Sequence, residues 1–185
     1  MALVRNILPW LAAWAIVAGL AGPVAAKPVR DPTLPMQAAP GYEKARLIGR
    51  WFEVARSRSM LESDCHAVTA DVETRDDSRL TLRIVCHKGS VTGPVLNIDG
   101  ILVETDPGIF VIRMVRLQQF DALPLVVLWQ AEDDSLAVLG TPGGQMGWVW
   151  SRSAEVDAAT LALGREKLEA AGYAARAIAP VKQAP

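Results

Sequence analysis

The sequence predicts an all-β fold: an eight-stranded antiparallel up-and-down β-barrel with one C-terminal α-helix packed outside it. Three observations carry this expectation. From Arg50 onward the apolar residues fall in short runs with period-two alternation, turn-forming residues separate the runs, and a helical period appears only after Arg152.

At 185 residues, 51% apolar and 21% charged, the chain has the composition of one ordinary globular domain with an unusually apolar N-terminus. Arg5 precedes an apolar stretch from Ile7 to Gly22, and Val24-Ala25-Ala26 supplies a cleavage-like site, so residues 1–26 read as a signal peptide. A retained anchor helix is the rival reading, but Gly22-Pro23 closes the stretch short of the ~20 residues a bilayer requires. Leu20-Ala21-Gly22 is followed by Pro23 rather than by a cysteine, which rules out lipidation there and leaves a periplasmic or secreted protein as the expectation. Cleavage would remove Arg5 as the sole charge, leaving 18 basic against 20 acidic side chains, a net charge of −2. Such a mixed surface offers no electrostatic footprint for nucleic acid or an anionic membrane, which leaves at most a transient contact with the envelope membrane.

Residues 27–41 are proline-rich and predict an extended lead-in, followed by a domain over 42–181 and a short tail over 182–185. The candidate strands are 51–56, 67–73, 80–87, 95–103, 109–115, 125–131, 136–141 and 148–151. Asp76-Asp77-Ser78, Asp106-Pro107-Gly108, Glu132-Asp133-Asp134-Ser135 and Pro142-Gly143-Gly144 favour tight reversals, so consecutive strands should be antiparallel neighbours. A sheet of this size can close on itself, which removes its exposed edges.

Asp157 can cap a helix running from Ala158 to Ala171, with Gly172 as its stop signal. Its narrow apolar stripe, Leu161 and Leu168, suits the outside of the barrel. A covering helix also accounts for runs apolar on both faces, such as Ile109-Phe110-Val111-Ile112 and Leu125-Val126-Val127-Leu128-Trp129.

The run Gly49-Arg50-Trp51-Phe52-Glu53-Val54-Ala55-Arg56 is answered late in the chain by Trp148-Val149-Trp150-Ser151-Arg152. With Val68-Thr69-Ala70, Val127-Leu128-Trp129 and Leu139-Gly140-Thr141-Pro142, these residues resemble the lipocalin family, most closely its bacterial and apolipoprotein-D-like branch, from Tyr42 to Val181. The resemblance implies that Gly49 and Trp51 form the closed barrel floor and that Arg152 packs across the indole from below, a structural role. The loop before Ser135 is the nearest equivalent of the family's middle motif.

Alternation turns Val68, Ala70 and Val72 one way, Leu80, Leu82, Ile84 and Cys86 likewise, and Phe110, Ile112 and Met114 in a third row; Trp129 joins them from the sixth run. These rows hold no obligate pair of charges and predict an apolar hollow for a small hydrophobic molecule, a fatty acid or lysophospholipid, held by area removed from water. Access would lie between Met60-Leu61 and Gly89-Ser90-Val91. The same side chains could instead fill the barrel, giving an envelope interaction protein. A monomer or weak dimer with no cofactor is expected.

Cys65 and Cys86 form an even pair in an exported chain, which argues for a disulfide at the rim. Strict alternation gives them opposite parity, so the bridge requires a bulge or a non-strand setting for Cys65. Free thiols and a metal site built with His66 and His87 are the alternatives; adjacent strand residues point to opposite faces, which disfavours convergence on a metal. A lipocalin-fold enzyme would need Cys65 activated by His66, or carboxylates such as Asp71 and Glu53. No serine elbow, phosphate-binding glycine loop or metal-binding helix motif is present, so no catalytic residue is assigned.

Overall fold

The computed structural model describes residues 29–57, 62–75, 78–115 and 122–184. The expected signal peptide, the Met60-Leu61 side of the mouth and the Asp76-Asp77 turn lie outside the described residues.

The alternating runs become β1 (Gly49–Ser57), β2 (Cys65–Thr74), β3 (Leu80–Lys88), β4 (Val95–Asp106), β5 (Ile109–Met114), β6 (Leu123–Gln130), β7 (Leu136–Gly140) and β8 (Gly147–Ser151). Each pairs antiparallel with its sequence neighbours, and β1 pairs with both β8 and β2, so the sheet closes into a barrel. One cluster of buried apolar side chains fills its inside, and a second lies between its outer wall and the helix.

That helix is α1 (Ala158–Ala170). Asp157 Oδ1 accepts the Thr160 N–H at 2.7 Å as the N-cap, and Gly172 reverses the chain at φ +93°. Gly164 lets the helix approach the wall, since a Cβ there would lie 2.4 Å from Val149. Leu168 is fully buried beside Val54, Val138 and Val149. The lead-in is extended and fastened to this side of the barrel: buried Arg30 donates to the carbonyls of Ala171 (2.7 Å) and Pro142 (2.9 Å), and Ala39 N–H donates to Val127 O.

A ninth strand, β9 (Ile178–Pro180), was not anticipated. Three residues ending in proline carry no readable period. β1 pairs with β2 only from Gly49 to Phe52, and above that point the two strands part. β9 takes up the freed edge of β1 opposite Ala55–Ser57, while Val181 N–H donates to Val54 O and Ala67 N–H to Lys182 O. Gln183 Nε2 donates to Glu53 O at 2.6 Å. The C-terminal segment thus fills the upper seam of the barrel.

Cys65 and Cys86 are joined, with Cα atoms 5.3 Å apart. The parity obstacle is removed by a register shift between His66 and Thr69, where Ala67 adopts φ +45°. Replacing both cysteines with serine is expected to lower unfolding free energy by roughly 3 kcal/mol through the chain-entropy effect. Urea denaturation followed by circular dichroism checks this, and thiol titration of the parent should detect no thiols before reduction and two after it.

Candidate functional site

The floor is built around Trp51, 1% exposed, whose Nε1 donates to Leu47 O at 2.7 Å. The Arg152 guanidinium lies 3.5 Å from the indole centroid and donates to the carbonyls of Arg50, Arg46 and Ile48, each at 2.9 Å. Gly49 has φ +107°, and a Cβ there would lie 3.0 Å from the Arg152 guanidinium. These contacts close the bottom and leave the opposite end, with the disulfide, as the mouth.

Of the residues expected to face inward, Val68, Ala70, Val72, Leu80, Leu82, Ile84, Phe110 and Ile112 all belong to the inner cluster, and Met114 packs against it. Phe110 meets Tyr42 edge to face at 6.1 Å near the floor. Trp129 does not face inward. A register shift between Val127 and Trp129 inserts an extra residue into β6, so Val127 stays inside while Trp129 turns outward, under the Lys167 ammonium at 5.5 Å.

The expected rows hold no charges, but β1 and the loop ahead of β2 bring ionic side chains inside. β1 carries a bulge between Glu53 and Ala55, which opposes Glu53 to Trp150 and Arg56 to Trp148, so both ionic side chains share the inner face of the strand. Arg56 Nη1 donates to Glu53 Oε1 at 2.6 Å, and Nη2 donates to the carbonyls of Glu62 and Cys65, the latter at 2.7 Å. Glu62, 2% exposed, enters from the loop ahead of β2 and accepts the Trp148 Nε1–H on Oε2 at 3.0 Å. Burial, followed by the charge of Glu62, pushes the Glu53 carboxyl up to about 8 despite Arg56. Burial likewise raises Glu62, against the opposing pull of Trp148 and Arg56.

Above the floor these groups border a small hollow. Leu82, Ile84, Ile112 and Met114 line it, together with residues that alternation alone did not assign: Glu62, Ile98, Leu125, Met146, Trp148 and Trp150. The centre of a water-sized sphere can move through only about 20 Å³ of it. That is enough for a single water, which takes about 10–15 Å³ on this measure. Trp150 Nε1 is buried and has no hydrogen-bond partner among the described residues. The two tryptophans were legible as an alternating pair on β8; Glu62 lies in a loop with no period to signal its direction.

The groups considered for catalysis do not converge. Cys65 is bonded to Cys86, Asp71 pairs with Arg50 on the outer wall at 2.8 Å, and Glu53 faces inward. His66 and His87 are cross-strand neighbours, and no cluster of three or more His, Cys, Asp or Glu residues fit to hold a metal occurs among the described residues.

Residues 43–183 match the family described as a lipocalin-like domain, and the chain belongs to that family. Lobster apocrustacyanin A1 superposes with a TM-score of 0.61 at 16% identity, over 82% of this chain and 91% of its own. The cockroach allergen Per a 4 gives 0.62 at 16%, over 83% and 97%. The siderocalin Ex-FABP gives 0.56 at 19%, over 76% and 96%. At these identities the likeness establishes the fold. A comparison with curated proteins finds no match. The buried disulfide fits an extracellular or periplasmic setting, and no helix among the described residues is long and apolar enough to cross a membrane.

Proposed function

We propose that this protein is an exported, non-catalytic carrier of a single-chain amphiphile of fatty-acid or lysophospholipid size, in the bacterial and apolipoprotein-D-like branch of its family. The observation that carries this reading is the hollow between Trp51 and the mouth, whose wall is apolar apart from Glu62 and the indole nitrogens. A siderocalin with dual ligand specificities on the same fold supports small-molecule binding as the use of such an interior. The hollow is narrow as it stands, so a chain-like ligand must displace side chains on the way in. Met114 and Met146 line the hollow and are unbranched, which makes them the least costly to move.

That narrowness also favours a second reading, a filled barrel acting as an envelope interaction protein. The two separate in a titration with N-phenyl-1-naphthylamine, an uncharged dye that brightens on leaving water. A carrier gives saturable enhancement at one dye per chain, whereas a filled barrel gives none.

A further inference from the structure

Two carboxyls are enclosed inside the barrel, and the one guanidinium beside them among the described residues contacts the side chain of Glu53 alone. Glu53 and Glu62 are both enclosed, and Arg56 is the single cation beside them among the described residues. Arg56 is committed: its guanidinium holds the Glu53 carboxyl and the main-chain oxygens of Glu62 and Cys65. Among the described residues the Glu62 carboxylate has one hydrogen-bond partner, the Trp148 indole, and no ion-pair partner. An enclosed carboxyl without a cation must either keep its proton or receive a positive charge from elsewhere.

Glu62 shares the hollow with Trp148 and Trp150. Indole faces attract ammonium groups, and a carboxylate beside two indoles is a more favourable setting for a cation than either feature alone. An anionic head group meets the opposite conditions: a like charge at Glu62 and a guanidinium already taken. We infer that the barrel selects amphiphiles whose head is a cationic amine, with Glu62 as the counter-charge and Trp148 and Trp150 as the walls of the head-group site, and that it discriminates against carboxylate heads. This rests on the carrier reading. It replaces a fatty acid with an alkylamine or a lysolipid bearing an exposed ammonium. Burial raises Glu62, and an ammonium head seated beside it favours the carboxylate, so that the head and Glu62 form an ion pair.

Competition against bound N-phenyl-1-naphthylamine tests the inference with dodecylamine and dodecanoate, which share one chain length and differ in head charge, both below their micelle concentrations. At pH 7.5 dodecylamine is expected to displace the dye at a concentration about tenfold lower than dodecanoate. Glu62→Gln, which keeps an oxygen for the Trp148 N–H, should bring the two competitors within about threefold of each other once each displacement is scaled to the variant's own dye affinity. Equal or better displacement by dodecanoate from the parent overturns the inference and leaves the carrier reading standing. A preference that survives unchanged in Glu62→Gln also overturns it, because the selectivity then resides elsewhere. Absence of dye binding by the parent removes the carrier reading and the inference together.

Discussion

Arg56→Leu is expected to lower the unfolding free energy by about 3–5 kcal/mol at pH 8, the range found when one partner of a buried ion pair is removed. The side chain is held between Glu53 and the main-chain oxygens of Glu62 and Cys65. Its loss strands two enclosed carboxyls and unsatisfies two carbonyls at once. The defect should also depend on pH in a definite direction. Glu53 titrates near 8 in the folded protein against an ordinary 4.5, so between these values the native state holds a proton that the unfolded chain has released. Stability linked to Glu53 is therefore fully present below about pH 4.5 and is lost as pH rises through about 8, at up to about 1.4 kcal/mol per pH unit for one proton. Without Arg56 both carboxyls retain their protons to higher pH, so the cost of Arg56→Leu should be smaller at pH 5 than at pH 8. Urea denaturation at both values, with Glu53→Gln as the control that loses the slope, measures this. A cost that does not change with pH would show that these carboxyls are already solvated.

Trp51→Ala should cost a further large amount, about 3–5 kcal/mol, as expected for deleting a buried aromatic residue from a site that cannot collapse. The surroundings are rigid on both sides: Trp150 lies 6.3 Å away ring to ring, and the Arg152 guanidinium is fixed by three carbonyls. Trp51→Phe keeps an apolar ring but forfeits the bond to Leu47 O, so its loss should be clearly smaller. Far-UV circular dichroism in urea reports both variants without relying on the tryptophan that has been removed.

The barrel, the outer helix and the floor were legible in the sequence because each depends on a local regularity. Leu80, Leu82 and Ile84 alternate on β3, Asp157 and Gly172 bracket α1, and Trp51 and Arg152 sit at matching ends of β1 and β8. Much of what the sequence hides comes from two bulges, one in β1 that brings Arg56 to the inner face alongside Glu53 and one in β6 that turns Trp129 out; a third, in β2, lets Cys65 meet Cys86 and is the one that the parity of the two cysteines demands. A bulge inserts one residue into an alternating pattern and reverses the parity of all that follows. No residue type in Val54-Ala55 or Leu128 marks the insertion, so only the pairing of strands distant in sequence reveals it. Glu62 escaped for a different reason: a loop residue owes its direction to the tertiary fold.

The seam between β1 and β2 has a consequence for the order of assembly. The edge of β1 at Ala55–Ser57 is paired by residues that follow the helix, more than 120 positions downstream. Wherever β9 is undocked, β1 keeps an unsatisfied strand margin above Phe52, the kind of margin that recruits a second molecule. The ring can thus close through β8 and β2 while its upper seam stays open, and sealing that seam falls to a segment that docks from beyond the helix.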